Sequence, residues 1–199
     1  MAAAHAPAGE RVLLDAEALQ RTLHRIAHEI IEANADLDRV ALVGIHTRGV
    51  SLAHRLRRLI EEFSGVEVAL GTVDITFYRD DVQVRGGEAP IHPQPLVRAT
   101  KLDFPLEGRT CILVDDVLYT GRTIRAAIEA LFDYGRPDRV QLAVVADRGH
   151  RELPIRPDYV GKNLPTSRGE RIQVQLLEVD EVDRVLLVPT PEEEEDTLG

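Results

Sequence analysis

The chain has 199 residues, 44% hydrophobic and 29% charged, which suits one well-filled core in the usual single-domain range of about 100–200 residues. Its one cysteine, Cys111, lies in an apolar run and excludes both a disulfide framework and a cysteine metal cluster; no signal-peptide pattern and no stretch of about 18 apolar residues occurs, so a soluble protein of a reducing cytoplasm is expected. The net charge of −10 is concentrated at the end of the chain, where residues 172–199 carry nine acids against the single base Arg184.

Residues 1–10, rich in Ala, Pro and Gly, and the acidic 189–199 are expected to be disordered ends of one folded domain spanning 11–188. Asp15 is placed to cap a helix whose Leu19, Leu23, Ile26 and Ile30 form one apolar stripe. Another face of that helix lines up Arg21, His24, Arg25 and His28, either an ordinary solvated face or a basic contact surface. "RVALVGI" (39–45) reads as a strand covered on both faces, "HTRG" as a loop, and "VSLAHRLRRLIEEF" as a helix. "VEVALGTVDITFY" (66–78) predicts one or two strands.

The next thirty residues, "RDDVQVRGGEAPIHPQPLVRATKLDFPLEG", contain four prolines and three glycines, the composition of a long functional loop. "CILV" (111–114) predicts a buried strand, 123–135 a helix ended by Gly135 and Pro137, and "RVQLAVVAD" (139–147) another strand. This alternation predicts a mostly parallel α/β sheet with right-handed crossovers. Beyond it, residues 148–171 hold six cationic side chains against three acidic ones, a local excess suited to an anion.

Ligands of such sheets bind beyond the carboxyl ends of the strands, where the chain has "HTRG", "DDVLYTGRT" and "DRGH". In the second, Thr120, Gly121, Arg122 and Thr123 would offer backbone N–H groups and hydroxyls to a phosphate at a helix N-terminus. Asp115 and Asp116 are acceptors only and need donors on the same ligand, such as sugar hydroxyls, or a cation. The spacing is neither GxxxxGK[ST] nor GxGxxG; an acid pair followed by a phosphate loop describes a ribose 5-phosphate cradle.

"CILVDDVLYTGRT" resembles the phosphoribosyl pyrophosphate motif of type I phosphoribosyltransferases. With "LVGIHTRGVSLA", "DITFYRDD", "DRGHRELPIRPDYVGKNLPTS" and "VQLLEVDEVDRV", the chain closely resembles the PyrR family, bifunctional pyrimidine-operon attenuators and uracil phosphoribosyltransferases, over nearly all of 11–188. The resemblance implies a central parallel sheet flanked by helices, a mobile lid over 79–104 and a small base-binding hood. It implies that Asp115 and Asp116 bind the ribose hydroxyls and that Val117, Leu118, Tyr119 and the 120–123 loop enclose the 5-phosphate of phosphoribosyl pyrophosphate or UMP. Thr47 and Arg48 match the pyrophosphate loop, where this fold often has a non-proline cis peptide, and Arg79 would add charge against the leaving group. Mg²⁺ would bridge ligand oxygens while keeping several waters, with Asp147 as a weak further ligand.

Purine enzymes of this fold commonly carry an aspartate where this chain has Tyr119, which favours uracil. Uracil would be read by backbone around Val160 and Gly161, with Tyr159 either covering it or packing in the core. For the regulatory activity, the residues matching the family's RNA face are His24, Arg25 and His28, and His150, Arg151, Arg156 and Lys162. The implied partner is a stem-loop of pyrimidine-operon messenger RNA, bound by a homodimer or higher oligomer. Two other readings stay open: a nucleotide sensor with little transferase activity, and a salvage enzyme for another base without an RNA role.

Overall fold

The computed structural model describes residues 10–76, 78, 100–167 and 169–190. Five parallel strands form the central sheet: β2 (Val40–Ile45), β3 (Ala69–Val73), β4 (Thr110–Leu118), β5 (Arg139–Asp147) and β6 (Tyr159–Asn163). Their order is β3-β2-β4-β5-β6. The chain moves outward from β2 to β3 and then returns to the other side of β2 for β4. The carboxyl ends of β2 and β4 therefore flank the point where strand order reverses, the place where open α/β sheets form a crevice.

Both faces of the sheet are covered, which explains why every residue of β2 is buried. Val40 and Leu42 pack with α1 (Ala16–Ala33) and α2 (Arg48–Ser64), through Leu19, Leu23, Ile26, Leu52 and Leu56. Ala41, Val43 and Ile45 point the other way, to α3 (Arg122–Phe132), through Ile124, Ala127 and Leu131. The sequence-predicted cap is present: Asp15 accepts from Ala18 N–H at 2.8 Å, satisfying one of the free donors at the start of α1. The 66–78 stretch yields the single strand β3, after which Thr76 N–H turns back onto Asp74 at 2.9 Å.

A second, antiparallel sheet of order β1-β8-β7 joins β1 (Arg11–Leu14) to β7 (Glu170–Gln175) and β8 (Arg184–Pro189). The short helix α4 (Leu177–Asp180) lies between β7 and β8. This is the hood. Of the expected lid, 79–99 lies outside the described residues; 100–104 is docked, with Thr72 and Lys101 exchanging two backbone hydrogen bonds of 2.9 Å and Leu102 and Phe104 packed on the core. No described helix is long and apolar enough to cross a membrane.

Candidate functional site

The first wall of the crevice is the start of α2. The peptide between His46 and Thr47 is cis, and Thr47 stands at the helix N-cap with Arg48 as its first residue. Gly49 makes the position possible. A Cβ there would lie 2.2 Å from the carbonyl oxygen of Val114 and 3.3 Å from the Cα of Asp115, so only glycine lets the first turn rest directly on β4. The loop after β2 and the acids of β4 are thereby brought together.

Asp115 and Asp116 are part of strand β4 and not of the loop that the sequence places after 111–114. β4 stays paired with β5 through Leu118↔Asp147, because backbone pairing does not require apolar side chains. Each carboxylate folds back on the next peptide: Asp115 accepts from Asp116 N–H at 2.9 Å, and Asp116 from Val117 N–H at 2.8 Å. Burial, and then the neighbouring Asp116, push Asp115 well above the usual carboxylate range. Burial also raises Asp116, against the opposing pull of the Val117 N–H and the Arg48 charge. Among the described residues Arg48 is the cation that acts on Asp116, and a bound cation or a set of hydroxyl donors would add to it.

The phosphate-type loop is consequently short, Tyr119, Thr120 and Gly121, with α3 beginning at Arg122. Gly121 has φ 96° and, as the N-cap residue, makes no side-chain cap bond, so the N-terminal end of α3 adjoins this loop. Arg122 N–H makes a long contact of 3.4 Å to Thr120 Oγ1. Thr123 is the second helical residue and shares this end.

The segment after β5 is stitched to that loop. Arg148 N–H donates to Leu118 O at 2.9 Å, Glu152 N–H to Thr120 O at 3.0 Å, and Arg122 Nε to Glu152 at 2.7 Å. Arg151 donates to Tyr119 O at 2.7 Å, to Ile155 O at 2.8 Å and to Asp147 at 2.5 Å. Asp147 also accepts from Gly149 N–H at 2.9 Å, so both its oxygens already hold donors. Among the described residues no group of three or more His, Cys, Asp or Glu gathers as a metal cluster. The Tyr119 ring lies 3.9 Å under the guanidinium of Arg148, itself buried, and edge-on to His150 at 5.8 Å.

Val160 is level with the acids, since Asp115 pairs with Val144 and Val144 with Val160. Tyr159 is a core residue: it is 4% exposed, and its hydroxyl joins Asn34 at 2.9 Å to Gln141 at 3.1 Å. Of the two roles open to it from sequence, packing is the one seen. The carbonyls of Val160 and Gly161 accept from Arg25 at 3.1 and 2.5 Å, which ties the basic stripe of α1 to β6. Lys162, next in β6, is exposed and pairs with Ala146, one residue before Asp147. Of the second basic patch, Lys162 lies on β6, the strand that Arg25 of the first patch contacts. His24 and His28 pack on Phe63 of α2, edge-on at 5.5 Å and stacked at 4.2 Å, and Arg156 is exposed. Arg79 lies outside the described residues.

Sequence reasoning missed the junction between hood and core. Arg48 holds Asp180 through two hydrogen bonds, Nε at 3.1 Å and Nη2 at 2.6 Å. Two turns along α2, Arg55 holds both Glu178 and Asp183 at 2.5–3.0 Å. Three of the acids counted toward the acidic end thus serve to fasten the hood. Arginines seven apart on a helix and the acids of "LEVDEVD" were the available signal, but their pairing crosses more than 120 residues of chain.

A cis-peptide loop on a helix start, a buried acid pair and an uncapped helix, gathered at the reversal of a parallel sheet, define a phosphoribosyltransferase of the type I class. The sequence profile described as the phosphoribosyl transferase domain matches residues 11–178. A protein named bifunctional protein PyrR from Roseiflexus sp. (strain RS-1) is 58% identical over 92% of this chain and 97% of its own length. Namesakes from Thermus aquaticus and Clostridioides difficile are 58% and 54% identical, each over 88% of this chain and 93% and 96% of their own. The chain belongs to the PyrR family. In fold it is similar to the hypoxanthine phosphoribosyltransferase of Trypanosoma cruzi in complex with IMP, at a TM-score of 0.68 and 17% identity over 95% of both chains.

Proposed function

We propose that the chain converts uracil and phosphoribosyl pyrophosphate to UMP and pyrophosphate, and that in its nucleotide-bound form it binds a stem-loop of pyrimidine-operon messenger RNA and attenuates transcription. The observation that carries the transferase reading is the approach of the Arg48 helix start to the Asp115–Asp116 pair across Gly49. Asp115 and Asp116 accept from the ribose hydroxyls, while the N–H groups at 120–123 receive the 5-phosphate. Arg48 and the Thr47 backbone meet the pyrophosphate, with Arg79 adding charge.

Mg²⁺ suits this acceptor-rich pair; bound with the donor substrate, it would be held near Asp115 and Asp116, chiefly through ligand oxygens and water, and would neutralise charge on the departing pyrophosphate. The C1–O bond to pyrophosphate breaks through an oxocarbenium-like state as the bond from uracil N1 forms, and the N1 proton is lost. The chain's residues contribute position and electrostatics. Tyr119, committed to Arg148, leaves no carboxylate where a purine base would need one. The RNA face combines His24, Arg25, His28, Arg156 and Lys162, with His150 and Arg151 at its junction with the nucleotide loop. A soluble cytoplasmic protein acting as a homodimer or higher oligomer fits both roles.

Purified protein is incubated with phosphoribosyl pyrophosphate, Mg²⁺ and each base in turn; uracil turnover is expected, and turnover of hypoxanthine alone would overturn the assignment. RNA affinity is measured with and without UMP, with tighter binding expected in its presence.

A further inference from the structure

We propose that Asp180, a residue of the hood, positions Arg48 for pyrophosphate by holding one edge of its guanidinium and keeping it away from Asp116; this deepens the reading of Arg48 as a pyrophosphate ligand and rests on it. Asp180 bonds the Nε and Nη2 atoms at 3.1 and 2.6 Å, which leaves the Nη1 corner outside the pair. The carboxylate is fixed from its own side, because its Oδ2 accepts from Leu176 N–H at 2.9 Å. Arg48 and Asp180 are 30% and 16% exposed as side chains, so water screens the pair only in part.

The alternative partner is on the facing wall, since Gly49, next to Arg48, rests on Val114 and Asp115 of β4. Arg48 is held above its ordinary value first by its bonds to Asp180, and the charge of Asp116 acts on it as well. An arginine released from the hood is a long, flexible cation whose charge already acts on the partly buried Asp116. It would pair with Asp116, which removes at once a pyrophosphate donor and a ribose acceptor. Asp180 prevents this by offering the guanidinium a better, bidentate partner on the edge that the ligand does not use. The neighbouring clamp, Arg55 with Glu178 and Asp183, fastens the same hood without touching the crevice and serves as an internal control.

Binding of magnesium pyrophosphate and the KM for phosphoribosyl pyrophosphate are measured for wild type, Asp180→Asn, Asp180→Glu, Glu178→Gln, Arg48→Met and the double variant Arg48→Met/Asp180→Asn. Asp180→Asn should weaken pyrophosphate about tenfold, the size of a lost charge-assisted bond of about 1.4 kcal/mol, and Asp180→Glu should recover part of it. Glu178→Gln should cost stability while leaving pyrophosphate affinity within twofold. Adding Asp180→Asn to Arg48→Met should cause no further loss, because Asp180 acts only through Arg48. Tighter pyrophosphate binding by Asp180→Asn, additive losses in the double variant, or an equal loss in Glu178→Gln would each overturn the proposal. A wild-type protein that binds no pyrophosphate would instead overturn the reading of the Arg48 loop itself.

Discussion

Replacing Gly49 by alanine adds one methyl group and should disable the crevice. The new Cβ would stand 2.2 Å from Val114 O, against the 3.4 Å at which ordinary contact begins, so the start of α2 must withdraw from β4 by about 1 Å. Val114 O belongs to a paired strand within the buried core and cannot yield. Overpacking of this kind costs about 2 kcal/mol, or about 6 °C in Tm for a domain of this size. The catalytic loss should be larger than the stability loss suggests, because Thr47 and Arg48 move with the helix while Asp115 stays with the sheet. A 1 Å misplacement of positioning groups costs about 100-fold, equivalent to about 2.7 kcal/mol in kcat/KM. The assay is UMP formation from uracil and phosphoribosyl pyrophosphate, with a thermal melt on the same preparation. A folded Gly49→Ala protein with activity within threefold of wild type would refute the argument that this glycine sets the distance between the two walls.

Because burial raises both Asp115 and Asp116, and ribose hydroxyls donate more strongly to the ionised form, UMP binding should release protons. Its affinity should climb as pH rises from the ordinary carboxylate range near about 4 toward neutrality; calorimetry in buffers of different ionisation enthalpy checks this, and proton-neutral binding would refute it. Arg55→Met should lower stability by about 1 kcal/mol by removing the cation from partly buried Asp183 and exposed Glu178. Bonds from Arg55 hold Glu178 below its usual range, those from Arg48 do the same for Asp180, and at Asp183 burial pushes upward but the Arg55 and Leu177 bonds outweigh it. With folded values below unfolded ones, this stability is present above the unfolded carboxylate range and is lost as pH falls through the folded values; denaturant melts from pH 7 to 3 should show a shallower acid loss in Arg55→Met. Cys111, pushed up to about 11 by burial, should resist thiol reagents at pH 8 until the protein unfolds; rapid modification of the native form would contradict its place in the core. Arg156→Glu should weaken RNA binding while UMP binding stays within twofold, since Arg156 is exposed; unchanged RNA affinity would remove that residue from the proposed face.

Much of this protein was legible from the sequence, because the features concerned are local. The stripe of Leu19, Leu23, Ile26 and Ile30, the Asp15 cap, the run 39–45 and the strand 139–147 follow from periodicity and propensity within a dozen residues. The motif at 111–123 carries its chemistry as a contiguous string, so its resemblance could be seen without any fold. What the sequence could not decide is what meets what across the chain. The switch point depends on β4 pairing with β2 and not β3, and Gly49 is silent until a strand carbonyl is found beside it. Tyr159 could be assigned to the core only when Asn34 and Gln141 stood against its hydroxyl. The acids of "LEVDEVD" were counted only as part of the negative charge of 172–199 until Arg48 and Arg55 took three of them. Local patterns are written by the free energy of single elements, whereas these contacts join residues far apart in the chain, and only the packed sheet and hood bring them within hydrogen-bonding distance.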